Sequence, residues 1–200
     1  MPVTEESSTE RADAPARPDA RLRRDERVAV ARLHALLELL PTALDKRLGP
    51  AGLTSFEFTL LESLHETPSH RMRLSALAAR TNATLPRLSR VVTGLERKGL
   101  VERTPCEQDA RATNAVLTAA GRRAYDGARP RYAEAVRTMI LDGLDDAGVA
   151  DLADLTLAIL RRLDPEGRLA VTASCAADPA VGPAPAPSTA DAACPADPAP

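Results

Sequence analysis

The stretch from Thr84 to Arg97 carries the side chains best suited to chemistry. On a helix whose Leu85, Leu88, Val92 and Leu95 turn inward, Arg87, Ser89, Arg90, Thr93 and Arg97 are left outward or flanking. Such a face suits the major groove of double-stranded DNA. Arginine bonds bidentately to guanine O6 and N7 or clamps phosphate, and serine or threonine hydroxyls reach phosphates or base edges. Thr84 reads as the N-cap, leaving a helix N-terminus for a phosphate. Pro86 falls in the first turn, where N–H groups have no intrahelical partner and proline is tolerated. Gly94 is outward and offers no side chain there. Arg97 and Lys98 close the helix, where the macrodipole accounts for two cations equally well.

The chain has 26 Lys and Arg against 28 Asp and Glu, a formal net charge of −2, which on an even distribution would argue against a nucleic-acid ligand. The distribution is uneven. From His70 to Arg111, nine bases (Arg71, Arg73, Arg80, Arg87, Arg90, Arg97, Lys98, Arg103, Arg111) stand against four acids (Glu96, Glu102, Glu107, Asp109), so a near-neutral chain has a basic middle. Charge alone favours a solvated basic face. The helical spacing is what lifts the DNA reading above it.

The elements that must position these residues follow from the apolar pattern. Hydrophobic residues make up 44% of the chain but aromatics only 2%, with no Trp, so the core must be built from Leu, Val, Ala and Ile, which favours helices. Leu33, Leu37, Leu40, Leu44 and Leu48 form the stripe of a helix over about residues 26–48, kinked at Pro41. Thr54-Ser55-Phe56-Glu57 matches a capping box opening a second helix with Phe58, Leu61 and Leu64 inside, closed by Pro68. Ser75 opens a short third helix, to about residue 80. The helix begun at Thr84, with Leu85, Leu88, Val91, Val92 and Leu95 on one face, stops at Gly99, giving a helix-turn-helix. Residues 100–104 and 112–117 then read as a β-hairpin around a polar loop, 105–111. Helix resumes at Thr118, in two segments broken near Pro130. A last helix spans about residues 146–163, striped by Val149, Leu152, Leu155, Ile159 and Leu163. Residues 1–24 and 165–200, rich in proline and without apolar periodicity, read as disordered tails, leaving 25–164 as one domain. The expected fold is mainly α with a small β-hairpin wing: a winged helix-turn-helix flanked by N- and C-terminal helices.

Other chemistries find no support. The pattern contains no phosphate-binding loop, no Gly-x-Gly-x-x-Gly and no Gly-x-Ser-x-Gly, which argues against an enzyme. His34, His65 and His70 lack short ligand spacing, so no metal or other cofactor is expected. Cys106, Cys175 and Cys194 fit neither a disulfide framework nor a zinc site, and Cys106 reads as an exposed, inert thiol. No apolar run approaches the ~18 residues of a membrane span, and no signal peptide is evident, so a cytoplasmic protein is expected.

Leu74-Ser75-Ala76-Leu77-Ala78-Ala79-Arg80, Leu95-Glu96-Arg97-Lys98-Gly99-Leu100-Val101-Glu102-Arg103, Asp109-Ala110-Arg111 and Leu117-Thr118-Ala119-Ala120-Gly121 together resemble the MarR family of winged-helix regulators over residues 30–163. The resemblance implies a homodimer, held by the first and last helices, whose recognition helices enter the major grooves of a pseudo-palindromic operator. It assigns Thr84, Arg87, Ser89 and Arg90 to the helix that meets DNA and Arg111 to the wing tip, with Asp109 holding Arg111. It also implies a ligand-responsive regulator, a repressor. A small lipophilic or phenolic ligand would lie between dimer region and reading lobe, against Leu36, Leu40, Phe56 and Tyr132, residues that serve equally as core. The competing reading is a winged helix that binds protein and not DNA.

Overall fold

In the computed structural model, residues 21–106 and 109–167 are described, and the expected tails lie almost wholly outside them. The chain divides into two compact units, 1–40 and 41–200. The division falls at Pro41, inside helix α1 (Arg24–Leu48), which runs through the proline as one helix. In the first unit the helix start is held by Arg23, whose guanidinium lies 3.3 Å from Asp25 and 3.1 Å from Glu26.

The second unit begins with the buried end of α1, Leu44 and Leu48, and a 3-10 turn at Gly49–Ala51. Helix α2 (Ser55–His65) opens with the expected capping box. Thr54 Oγ1 accepts from Glu57 N at 3.1 Å, and Glu57 Oε2 accepts from Thr54 N at 2.9 Å. Strand β1 (Arg71–Arg73), α3 (Leu74–Arg80), α4 (Leu85–Arg97), β2 (Val101–Cys106), β3 (Asp109–Leu117), α5 (Ala119–Val136), a π turn (Arg137–Leu141) and α6 (Asp146–Leu163) follow. The sheet is antiparallel in the order β1-β3-β2. The fold class expected from the sequence, helical with a hairpin wing, is the one observed.

Four boundaries differ from expectation. Strand β1 was not foreseen: three residues, two of them arginines, give no legible alternation, and only pairing of Arg71 with Val116 and Arg73 with Asn114 makes them a strand. The hairpin arms are longer than read, since Val101–Cys106 pairs with β3 through most of the expected loop. Helix α5 continues through Pro130. Pro130 and Asp126, whose carbonyl loses its i+4 partner, both lie on the exposed side of the helix. The irregularity comes later, at the π turn. Finally, Leu85 points out at 49% exposed, because the first turn of α4 overhangs the core and the buried stripe starts at Leu88.

That core joins Leu48, Leu53, Phe58, Leu60, Leu61, Leu64, Leu77, Leu88, Val92 and Leu95 with Val101, Leu117, Tyr125 and Ala128. Phe58 stacks on Tyr132 with ring centroids 4.2 Å apart and tilts against Tyr125 at 5.2 Å, so three of the four aromatics share one contact. Gly121 is required by a close approach: a Cβ there would fall 2.1 Å from Leu100 O and 2.7 Å from Leu117 Cδ1. Thr118 Oγ1 caps α5 by accepting from Gly121 N at 2.9 Å and donates to Gly99 O at 2.8 Å, which accounts for the Leu117–Gly121 run and ties the start of α5 to the stop after α4.

Candidate nucleic-acid interface

Helix α4 sorts its side chains onto three faces. Leu88, Val92 and Leu95 are wholly buried. Ser89, Thr93 and Glu96, at i, i+4 and i+7, are half-buried toward the hairpin, and Arg87, Arg90 and Arg97 are exposed. Thr84 has the extended backbone of an N-cap, with Leu88 N bonded to its carbonyl at 2.9 Å, but its hydroxyl makes no capping bond. The cap stands where the sequence placed it, and Pro86 in the first turn removes one of the orphan donors. At the other end Gly99, at φ +70, lets Leu100 N reach Leu95 O at 2.9 Å and Gly99 N reach Glu96 O at 2.9 Å, a Schellman stop.

Each expected site residue has a definite place. Arg87 is exposed with its guanidinium 4.4 Å from the centre of the Phe56 ring, a cation–π contact that limits where it can swing. Arg90 is exposed and makes no hydrogen bond or ion pair among the described residues. Ser89 is engaged on its hairpin side: its carbonyl and hydroxyl oxygens accept from Arg103 Nη2 at 2.9 and 3.3 Å. Asp109 and Arg111 lie on β3, where Asp109 pairs with Cys106 across the hairpin; their side chains lie outside the described residues. Lys98, which the helix dipole would have explained, has a partner. Its Nζ donates to both Glu57 oxygens at 2.7 and 2.8 Å and to Gly52 O at 2.9 Å, tying the end of α4 to the start of α2.

The residues expected to line a ligand site each have a described environment. Leu36 is 58% exposed on α1 and Leu40 is half-buried. Phe56, half-buried at the start of α2, supports Arg87 with one face of its ring. Tyr132 stacks on Phe58, and burial together with Glu62 pushes its phenol up from the ordinary value. Cys106 is neither exposed nor a free thiol: it is 2% exposed in β2, its sulfur belongs to a disulfide, and Arg73 Nη2 lies 3.5 Å from it. Its burial follows from β2 extending past Pro105, which the polar composition of that segment concealed.

Sequence reasoning missed Arg103. Its guanidinium bonds Glu96 through Nη1 and donates from Nη2 to Thr93 Oγ1 at 3.1 Å besides the two oxygens of Ser89. The signal was present in the i, i+4, i+7 spacing of Ser89, Thr93 and Glu96, which marks a polar face that needs a partner. Among the described residues no group of three or more metal-ligating side chains occurs, and no helix is long and apolar enough to cross a membrane.

Comparison with known proteins agrees with this geometry. The MarR family model matches residues 53–113, from the end of the 3-10 turn into the hairpin. AbsC, a MarR family transcriptional regulator from Streptomyces coelicolor, is 33% identical, covers 72% of this chain and 97% of its own, and superposes with a TM-score of 0.68. Sco3205, another MarR family regulator from that organism, solved in complex with DNA, is 30% identical over 72% of this chain and 91% of its own, with a TM-score of 0.70. CouR from Rhodococcus jostii RHA1, solved with p-coumaroyl-CoA bound, is 25% identical over 66% of this chain and 88% of its own, with a TM-score of 0.54. With a third of its residues shared with AbsC over nearly three quarters of its length, and with the helix-turn-helix and paired hairpin that the motifs foretold, the chain belongs to the MarR family of transcriptional regulators, which are not enzymes.

Proposed function

We propose that this protein is a ligand-responsive repressor that binds a pseudo-palindromic operator in double-stranded DNA as a homodimer in the cytoplasm. The observation that carries the reading is the free basic face of α4: Arg87, Arg90 and Arg97 are exposed, while Lys98 and Arg103, the cations flanking the same helix, are committed to internal partners. Arginines left unpaired beside paired ones suit an external anion. Thr84, Arg87, Ser89 and Arg90 would meet the major groove. Arg111, held by Asp109, would reach the minor groove from the hairpin, where groove width and negative potential are read. The DNA complex of the 30%-identical Sco3205 supports this.

The dimer rests on apolar surface. Leu36, Leu37 and Leu39 of α1 are exposed, as are Val149, Leu152, Leu155, Ile159 and Leu163 of α6, a run that a soluble chain covers by association. Two reading helices would sit about 34–36 Å apart, one turn of the duplex. A small lipophilic or phenolic ligand, in keeping with the p-coumaroyl-CoA bound to CouR, would act by favouring a spacing that does not fit the operator. Leu36, Leu40, Phe56 and Tyr132 are the side chains we assign to it.

The decisive experiment selects duplexes from a random pool with the purified protein and titrates the retained sequence across a salt series. Affinity should fall linearly with log salt, as counterion release requires. Retention of no duplex at any salt would leave the protein-interaction reading in its place.

A further inference from the structure

Arg103 is the best-bonded side chain at the border of the DNA-facing helix, and it comes from the hairpin. We propose that it is a positioning residue for operator recognition, strapping β2 to the Ser89-Thr93-Glu96 face of α4 so that helix and wing meet the duplex as one piece. The inference rests on the DNA reading and adds a residue which that reading does not use.

Strand β2 faces α4 with Arg103, whose cross-strand neighbour Ala115 is wholly buried. From that position the guanidinium bonds Glu96 with Nη1 and spans Ser89 and Thr93 with Nη2. Seven residues of helix, about 10 Å at 1.5 Å each, are thereby held from one side chain. Thr93 Oγ1 in turn donates to Ser89 O at 3.0 Å, so the acceptors are themselves fixed. The planar guanidinium serves Glu96 from one nitrogen and the Ser89 and Thr93 oxygens from the other; an ammonium would have to meet all of them from a single point. Arg103 and Glu96 are each about a quarter exposed, so the strap lies at the surface edge, beside the groove-facing residues and not in the core. Ser89 accepts from Arg103 through both its oxygens, so the strap fixes a residue that the DNA reading places on the groove-facing helix.

The test compares full-length parent, Arg103→Met and Arg103→Lys on two duplexes: the one the parent retains from a random pool, and a scrambled sequence of equal composition. If Arg103 positions, Arg103→Met lowers affinity for the retained duplex on the order of tenfold. Binding to the scrambled duplex, and the slope of log affinity against log salt, should stay at the parent's values. Arg103→Lys, which keeps charge and stem, should lose the same selectivity, and it decides the matter if Arg103→Met does not fold. In a Thr93→Val/Glu96→Met background, which removes the two side-chain acceptors outside Ser89, the Arg103 substitution should cost clearly less than it does in the parent, as groups that act together are not additive. Equal losses on both duplexes with a salt slope reduced by about one per protomer would make Arg103 a phosphate contact and overturn the strap, as would full additivity in that background. If the parent retains no duplex, it is the DNA reading itself that fails.

Discussion

Helices α4 and α6 are both striped with apolar residues, and the stripes meet opposite fates. On α4, Leu88, Val92 and Leu95 are wholly buried against the rest of the second unit. On α6, Leu155 is 65% and Leu163 75% exposed, and not one of its 18 residues is buried. Burying a leucine is favourable by about 1.5–3 kcal/mol, so a helix that leaves five large apolar side chains exposed along one stripe would gain from a further surface that covers them. An amphipathic pattern therefore announces that a face must be buried without saying whose surface buries it. The converse holds for the polar faces. Opposite its stripe α4 displays unpaired arginines, and the proposed division of labour follows: α4 turns its polar face to DNA, α6 its apolar face to a second copy.

The largest effect expected from that division is on binding. Arg90→Ala removes one contact from each half-site, and at about 1–3 kcal/mol per good contact the dimer should lose roughly 2–6 kcal/mol of specific DNA affinity. Arg162→Ala, an equal loss of charge in the exposed last turn of α6, should leave the retained duplex bound as by the parent. Fluorescence anisotropy with both variants at one salt concentration reads the contrast. Equal losses would mean that net charge, and not the α4 face, is what the duplex meets.

Stability separates the two stripes next. Leu88→Ala opens a cavity in the core and should cost about 2–5 kcal/mol, whatever the protein concentration. Leu155→Ala leaves no cavity within the chain. Its penalty should appear as a melting temperature that depends more steeply on protein concentration, because an association that stabilises the folded state acts by mass action. Melts over a hundredfold range of concentration distinguish these. A Leu155→Ala penalty independent of concentration would break the assignment of α6 to an intermolecular contact.

How much of this was legible in the sequence depended on how local the cause was. The capping box at Thr54, the stop at Gly99 and the helix start at Thr118 depend on residues within a few positions of each other, and each stands where it was read. The stripe of α6 gave its bounds within a residue or so. Strand β1 could not be read, because Arg71 to Arg73 is a strand only by pairing with residues more than 40 positions away. Arg103 was hidden for the same reason. Its partners are fixed by how the hairpin folds back on α4, and a lone arginine in a strand looks like any other. The contact of Phe56 with Arg87 was hidden in the same way: a half-buried aromatic near a helix start gives no sign of the cation above it until the second helix is in place.

A smaller contrast concerns glycines. Gly94 lies in mid-helix among the α4 arginines, and a Cβ there would meet nothing within 4 Å, so Gly94→Ala should gain about 0.5–1 kcal/mol of stability from the lower backbone entropy of the unfolded chain. Gly148, in the first turn of α6, has the capping Asp145 Oδ1 3.2 Å from where a Cβ would stand. Gly148→Ala should gain less or nothing, since the cap must give way to admit the methyl group. Chemical denaturation of the two variants beside the parent compares them directly, and a larger gain at Gly148 than at Gly94 would contradict this packing.

The smallest expected effect is one of slope, and it belongs to the core side of the second unit. Burial, reinforced by repulsion from Glu66, pushes the Glu62 carboxyl up from its ordinary value, against the opposing pull of the Tyr125 hydroxyl, Arg129 and Arg80. The Tyr125 hydroxyl lies 3.4 Å from Glu62 Oε1, and its own phenol is pushed up, by burial first and then by Glu62. A carboxyl that holds its proton more tightly folded than unfolded adds stability at low pH, all of it present below the unfolded-state pKa. That contribution disappears as pH rises through the higher folded-state pKa. Above both, the folded protein bears the cost of a charge in a desolvated place. Glu62→Gln keeps an acceptor for Tyr125 and never ionises. The variant should therefore gain on the parent as pH is raised from about 4 toward neutrality, and the difference in melting temperature should level off above the folded-state pKa. A difference that is constant with pH would mean the carboxylate ionises in the folded protein as it does in the unfolded chain, and a difference that shrinks as pH rises would mean that Arg129 and Arg80 outweigh burial at this site.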